Sequence, residues 1–533
     1  MQKTIKELGY MLDCSRGAVA KISTLKRLVD YISSFGYSYI MLYTEDTYEI
    51  KEEPYFGYMR GRYTHEEIKE LDAYCRSKGM ELRPCIQTLA HLEKLQANDV
   101  FNDLFDIDNV LLVGDEKVYD LIDKMFKNVS ECFSSKKIHI GMDEAFHLGR
   151  GRYIDRFGYE KKSSIMAKHL KRVSDIAKKY GYTCYIWGDM LENAYQEDKD
   201  NYSCSIPDNI IPIVWGYDKI GKEAMEGRLS LYKKLSPDAI ACCGGAMKWV
   251  GFSPINTYSM SEVEEQIEAA KKFDLDDYLV TGWGDGAGDA SQFSVLPCLF
   301  YAGLIANGKE LNEETKKIFL GATGMSFDDY MNIDDLSKLD PSEDYMEKRN
   351  NLSFIHLYSD LLQNPMMECG LEKYESLYVD AMRKLKPYCD NKEFGYIFDS
   401  LYHLADTDRY LCSLGKKIKE TYDKKGDMTP HIETAKKALA SLDGFIKAYE
   451  RQWHIENKAF GYEKQLNRLG GLKERIRYVI DVLTLYKDKK IDGIDELEEK
   501  HLPKMLKGKV IDDPNGICAN WYRYFVSASL LND

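Results

Sequence analysis

Over the first 310 residues, short apolar runs alternate with longer amphipathic stretches. The apolar runs fall at 9–14 (GYMLDC), 38–43 (SYIMLY), 80–86 (MELRPCI), 137–142 (KIHIGM), 182–187 (YTCYIW), 210–215 (IIPIVW), 239–244 (AIACCG) and 278–283 (YLVTGW). Each reads as a strand. Between them, TLKRLVDYISSFG (24–36) and THEEIKELDAYCRSKG (64–79) place apolar residues at helical spacing, with Thr64 as an N-cap and Gly79 as a stop. Eight strands, each followed by a helical unit, predict an α/β fold of the (β/α)8 TIM-barrel type.

Past residue 320 the strand pattern fades. Segments such as YESLYVDAMRKLKPYC (374–389), TAKKALASLDGFIKAYERQWHIE (434–456) and LNRLGGLKERIRYVIDVLTLYK (466–487) carry helical periodicity with charged outer faces. The expected organisation is a catalytic barrel over 1–320 followed by an all-α C-terminal domain over 321–533, with the boundary between 310 and 350. The helical domain leaves two roles open, a homodimer interface or a cover over the barrel mouth.

Composition narrows the classes. The chain has 533 residues, 44% hydrophobic and 30% charged, with a net charge of −14 and neither a Lys/Arg block nor a basic stripe interleaved with aromatics. Nucleic acid and anionic membranes are therefore not expected partners. The N-terminal MQKTIKELGYMLDCSRG lacks the apolar run of a signal peptide, and no stretch is long enough to span a bilayer. Thirteen cysteines form no C-x-x-C pair, which fits a reduced, cytoplasmic protein.

In such a barrel the chemistry sits at the C-terminal strand ends. Trp187, Trp215 and Trp283 each end a predicted strand and Trp249 follows another, at intervals of 28, 34 and 34 residues. A single such tryptophan is ordinary core filler; four in one register predict flat indole walls suited to sugar rings. Polar residues keep the same register: Asp13 and Arg16, Glu45 and Asp46, Gln87 and His91, Asp143 and Glu144, Asp189, and Asp285. No H-E-x-x-H is present, and His91 and His139 are too far apart in the register for a zinc pair. GWGDGAG has the wrong spacing for a phosphate cradle. Neither a metal nor a cofactor is expected. Acidic groups among tryptophans point to glycoside chemistry, in which a carboxylic acid protonates the leaving oxygen and a second carboxylate handles positive charge. Neighbours on one strand point to opposite sides, so Asp143 and Glu144 are a poor acid/nucleophile pair but suit contacts to different parts of one sugar.

The sequence resembles the β-N-acetylhexosaminidases of glycoside hydrolase family 20. HIGMDE (139–144) is similar to the family's H-[IL]-G-G-D-E, with Met142 in place of the second glycine. YMLDCSRG (10–17), GRYTHEEIKELDAYCRSKGMELRPCIQTLAH (61–91), YIWGDM (185–190), IVWGYD (213–218) and GWGDGAG (282–288) look like family segments in the same order. The helical C-terminal region resembles that of a short bacterial subgroup. The resemblance implies exo-hydrolysis of terminal β-linked GlcNAc, with GalNAc as a second candidate, from oligosaccharides or glycoconjugates, with retention assisted by the substrate's own acetamido group. Carried over, Glu144 is the general acid/base and Asp143 accepts the acetamido N–H. His91 and Asp46 form a network behind Glu144, Arg16 and Asp285 hold ring hydroxyls, and Trp187, Trp215 and Trp283 enclose the sugar. The family's acetamido-binding Tyr has no direct match, leaving Trp249 and Tyr217 as alternatives. Gln87 stands where the family often has an acid. The other readings are a relative that releases a disaccharide or a modified aminosugar, and a non-catalytic sugar-binding barrel.

Overall fold

The computed structural model describes residues 4–197, 206–237, 239–340, 351–367, 371–503, 505–506, 509–510, 522 and 526–527. Eight parallel strands close into a barrel. They are β1 (Glu7–Asp13), β2 (Tyr39–Tyr43), β3 (Glu81–Cys85), β4 (Lys137–His139), β5 (Thr183–Trp187), β6 (Ile210–Trp215), β7 (Ala241–Gly245) and β8 (Asp277–Gly282). Each strand pairs with its neighbours in sequence, and β8 returns to β1 with Glu7 opposite Asp277 and Leu12 opposite Gly282. All eight predicted strands are present because their apolar runs are covered on both faces, by the barrel interior and by the helical layer. The helix predicted over 64–79 forms as His65–Ser77. Thr64 and Glu67 exchange capping hydrogen bonds at its start, and Gly79 takes φ 73 just past its end.

The two ends of the barrel differ. At the N-terminal mouth Arg83 stacks on Tyr39, 3.6 Å from the ring centroid, and pairs with Glu7 and Glu81 at 2.7 Å and Asp277 at 3.4 Å. Asp277 also accepts the hydroxyls of Tyr39 (2.7 Å) and Tyr185 (2.6 Å). This network fills the floor with paired charges. The C-terminal mouth gathers the residues singled out by sequence.

Beyond the barrel the described chain is mainly helical. Lys373–Leu385, Gly395–Leu411, Thr429–Glu456 and Tyr462–Lys487 include the three segments read as helical. Residues 511–521 and 528–533, assigned to the same domain by sequence, lie outside the described residues. The helices dock on the barrel through a buried carboxylate. Glu456 accepts from Ser291 Oγ, from Gln292 N (2.6 Å) and from Tyr396 Oη (2.8 Å), while its carbonyl accepts from Lys21 N (2.9 Å) and Thr24 Oγ1 (2.6 Å). A second seam lies at the C-terminal mouth. Gly17 and Gly461 approach so closely that a Cβ on Gly461 would sit 2.2 Å from the Gly17 carbonyl oxygen. Among the described residues no helix is long and apolar enough to cross a membrane.

Candidate active site

The strand expected to run to Met142 stops at His139. His139 Nδ1 accepts the Gly141 amide at 3.0 Å, and Gly141, Met142 and Glu144 take φ values of 70, 72 and 53. Three left-handed residues in four coil the backbone, so strand alternation does not govern the two carboxylates. Both reach one imidazole: His91 Nε2 lies 3.2 Å from Asp143 Oδ2 and 3.7 Å from Glu144 Oε2. At Gly141, φ 70, a Cβ would meet Gln87 Oε1 at 1.9 Å, so any other residue would be strained and would displace the Gln87 amide. Met142 is different. Its left-handed backbone costs roughly 1–2 kcal/mol, and its fully buried side chain offsets that through apolar burial.

Gln87 ties the turn together. Its Oε1 accepts the Met142 amide at 3.2 Å, and its Nε2 donates to Asp143 Oδ1 at 2.8 Å and to Tyr43 Oη at 3.0 Å. Only an amide both accepts and donates in this way; a carboxylate here would face Asp143 with like charge.

These contacts separate the two acids. Burial works to raise the Asp143 carboxyl, but the facing His91 and the Gln87 amide outweigh it and hold the group below the usual Asp range. Glu144 is raised, first by burial and further by Asp143 and Asp285, against the opposing pull of His91. Its side chain is still 45% exposed, open to an incoming group. Burial disfavours a charged His91, yet Asp143 lifts its pKa to about 9. The ligand atoms of His91, Asp143 and Glu144 lie within 4.8 Å of one another, a spacing that would also suit a cation. An imidazole held protonated by its neighbours favours the ion pair over a metal.

Asp46 does not join this network. Arg60 holds it, with Nε 3.0 Å from Oδ2 and Nη2 3.0 Å from Oδ1, and Arg60 also donates to the Ser15 carbonyl. The adjacent Glu45 turns inward instead, at φ 46. It accepts the Tyr43 hydroxyl at 3.0 Å, lies 3.3 Å from Arg16 Nε, and is raised to about 7 by burial despite Arg16. Asp13 locks the β1 and β8 loops together, accepting from Ser15 N at 2.8 Å and from Gly284 N at 2.9 Å. Asp285 lies near enough to Arg16 to act on it electrostatically. Glu45, His91, Met142, Glu144 and Ala287 are all non-glycine residues at positive φ following barrel strands, so backbone strain gathers at this mouth.

Asp189, noted in the sequence only as a carboxylate after strand five, has a defined position. Its Oδ2 accepts the Glu144 amide at 2.9 Å and its Oδ1 accepts the Trp215 indole N–H at 3.3 Å. Burial and Asp143 raise it to about 7. The aromatic residues form one continuous wall. Trp187 lies 4.3 Å from His139, 6.4 Å from Trp215 and 5.8 Å from Trp283 between ring centroids. Tyr217 packs 5.4 Å from Trp215 and 5.3 Å from Trp249, and its hydroxyl oxygen accepts the Trp283 N–H at 2.7 Å. Trp187 and Trp249 are buried backing, whereas Trp215 and Tyr217 are half-buried.

Residues 8–227 match the model of the glycosyl hydrolase family 20 catalytic domain, and residues 328–512 match that of the Glycoside Hydrolase 20C C-terminal domain. The chain belongs to glycosyl hydrolase family 20. This family-20 chain is 25% identical over 217 residues to Hexosaminidase D of Homo sapiens, covering 38% of the chain and 43% of that protein. It is 24% identical over 268 residues to Hexosaminidase D of Bos taurus, covering 47% and 74%. It therefore spans less than half the length of the human relative. Among solved structures it is similar to a GH20 exo-β-N-acetylglucosaminidase from Vibrio harveyi bound to N-acetylglucosamine, with TM-score 0.46, 15% identity and coverage of 62% and 58%. A β-N-acetylhexosaminidase from Bacteroides fragilis matches with TM-score 0.46, 19% identity and coverage of 61% and 71%.

Proposed function

We propose that this family-20 chain is an exo-β-N-acetylhexosaminidase that removes terminal, non-reducing β-linked GlcNAc by substrate-assisted, retaining catalysis. The observation that carries the reading is the meeting of Asp143 and Glu144 at one imidazole, with the first acid held low and the second raised. Two carboxylates pushed apart in this way divide the work at one pH. Glu144 keeps its proton and donates it to the glycosidic oxygen, then withdraws a proton from the incoming water. Asp143 stays ionised, accepts the acetamido N–H, and so turns the acetamido oxygen toward the anomeric carbon. The same negative charge stabilises the cationic ring formed when that oxygen attacks. The nucleophile thus belongs to the sugar, and adjacent carboxylates suffice.

Arg16 and Asp285 are assigned to the ring hydroxyls, and Trp215 and Trp283 to the sugar faces. Tyr217 is favoured over Trp249 as donor to the acetamido oxygen. Its hydroxyl meets the Trp283 N–H at the mouth, while Trp249 is buried behind it and packs edge-on against its ring. A division into a barrel over 1–320 and a helical domain over 321–533 accompanies this reading. A cytoplasmic setting is supported by ten free cysteines among the described residues, nine of them buried.

The test is hydrolysis of 4-nitrophenyl β-N-acetylglucosaminide by the unaltered chain and by Glu144→Gln, with a thiazoline mimic of the cyclic intermediate as inhibitor. The expected result is a loss of turnover of about 10²-fold or more in the variant and competitive inhibition of the unaltered chain. Unaltered turnover in Glu144→Gln overturns the acid assignment, and no inhibition by the thiazoline overturns substrate assistance.

A further inference from the structure

Two adjacent glycines stand inside the 26-residue helix Tyr462–Lys487. Glycine weakens a helix interior relative to alanine. Packing does not call for it here, because a Cβ on Gly470 or Gly471 would meet no neighbouring atom within 4 Å. The missing Gly471 side chain opens instead onto a cavity of about 360 Å³, a volume within the range of small-molecule sites. The cavity lies between this helix, the stretch 358–363, and Tyr522. Arg468 of the same helix sets its guanidinium 4.7 Å from the Tyr522 ring centroid and donates to the carbonyl of Gly286, next to Asp285. One arginine thus joins the cavity wall to a loop at the C-terminal mouth.

The walls indicate what the cavity holds. Among the described residues that line it, only Asp360 and Arg475 are charged, and they pair at 2.6 Å. A charged ligand would have to break that pair or lie without a counter-ion. Uncharged hydrogen-bonding groups stand beside the pair. They are the Gln363 amide and the exposed Asn467 amide, which makes no hydrogen bond among the described residues. Tyr358 and Tyr522 meet edge to face with centroids 4.8 Å apart and form an aromatic corner, and Leu472 and Ile476 supply an apolar side. A compact ring with apolar faces and hydroxyls around its rim suits these walls. An acyl chain would leave the amides unpaired, and an ion would find no free charge. We propose that this cavity is a second carbohydrate site, apart from the catalytic pocket, that takes a neutral pyranose. The inference goes beyond the hexosaminidase reading and does not depend on the assignment of Glu144.

The test is a titration of the full, unaltered chain with N-acetylglucosamine, read by NMR at the methyl groups of Leu472 and Ile476, with glucuronic acid as a charged pyranose for comparison. Saturable shifts of both residues are expected with the first sugar and not with the second. Gly471→Leu, which fills the cavity, is expected to weaken that binding about tenfold or more. Asn467→Ala, at an exposed position, is expected to weaken it severalfold through one lost hydrogen bond. No saturable shift in the unaltered chain, or affinity unchanged in both variants, overturns the site; equal binding of glucuronic acid overturns the neutral ligand. Turnover then assigns the source of the ring. A lower kcat/KM in Gly471→Leu for an N-acetylglucosamine pentamer, but not for methyl β-N-acetylglucosaminide, assigns it to the substrate chain, and equal ratios assign it to a free sugar.

Discussion

Asp189 anchors Glu144 by its backbone, accepting the amide at 2.9 Å while its other oxygen takes the Trp215 indole N–H at 3.3 Å. The proposed acid and one sugar-facing indole therefore share a single support. An asparagine there keeps one acceptor but turns an N–H₂ toward a second donor, leaving one N–H without a partner. Asp189→Asn is expected to lower kcat about tenfold or more on a methyl glycoside, whose departure needs the acid, and less on a 4-nitrophenyl glycoside. Equal losses on both substrates would reduce Asp189 to a purely structural residue.

The opposed shifts of Asp143 and Glu144 set the pH profile. The proposed mechanism requires Asp143 ionised and Glu144 protonated. It should therefore fall on the acid side below the ordinary Asp range, and on the alkaline side above the ordinary Glu range. Gln87→Glu replaces a donor to Asp143 with a like charge. The acid limb of kcat/KM is expected to move to higher pH in this variant while the unaltered chain keeps its low limb. A titration of rate against pH for the two proteins decides it.

Met142→Gly restores the residue of the family signature and removes a left-handed strain of roughly 1–2 kcal/mol. It also empties a fully buried site, for which truncation of a methionine typically costs about 2–5 kcal/mol. The lost packing outweighs the relieved strain, so the substitution is expected to destabilise by about 1–3 kcal/mol. Chemical denaturation measures this, and a stabilised variant would show that strain dominates.

Two residues of the site, His91 and Glu45, each contribute a loss of stability as pH rises. The buried His139 and His169, lowered to about 3 and about 4, give the opposite slope below pH 6.5. His91 is raised from 6.5 to about 9, so its contribution is complete below its unfolded value and is lost as pH climbs through 9. Glu45 is raised from 4.5 to about 7 by burial, so its ionisation costs stability across that window. Melting temperatures measured from about pH 5 to 9 test the slope, and His91→Gln should flatten its upper half.

The barrel was legible because each of the eight strands centres on a short apolar run and the helix over 64–79 carries its own start and stop residues. The paired carboxylates were legible as a motif, but their convergence was not. A strand reading of 137–142 sends Asp143 and Glu144 to opposite sides, whereas the His139 side chain ends the strand and positive φ at Met142 and Glu144 coils the chain. Nothing local to KIHIGM announces that turn. Asp46 and Glu45 exchanged places for a similar reason: adjacent acids look equivalent in sequence, and Arg60, fourteen residues on from Asp46, captures one of them. Asp189 was visible only as one of many carboxylates at strand ends, since its partners are a distant backbone amide and an indole.

The contact between Gly17 and Gly461 lies one residue from Arg16, and the same helical segment binds the Arg16 carbonyl through Lys464 and the Ala287 carbonyl through Gln465. The barrel is consequently not a portable cassette. A shortened or chimeric chain that keeps every strand but substitutes another helical partner would leave the loops bearing Arg16 and Asp285 without their outer brace, so transplants of this scaffold should carry both halves together.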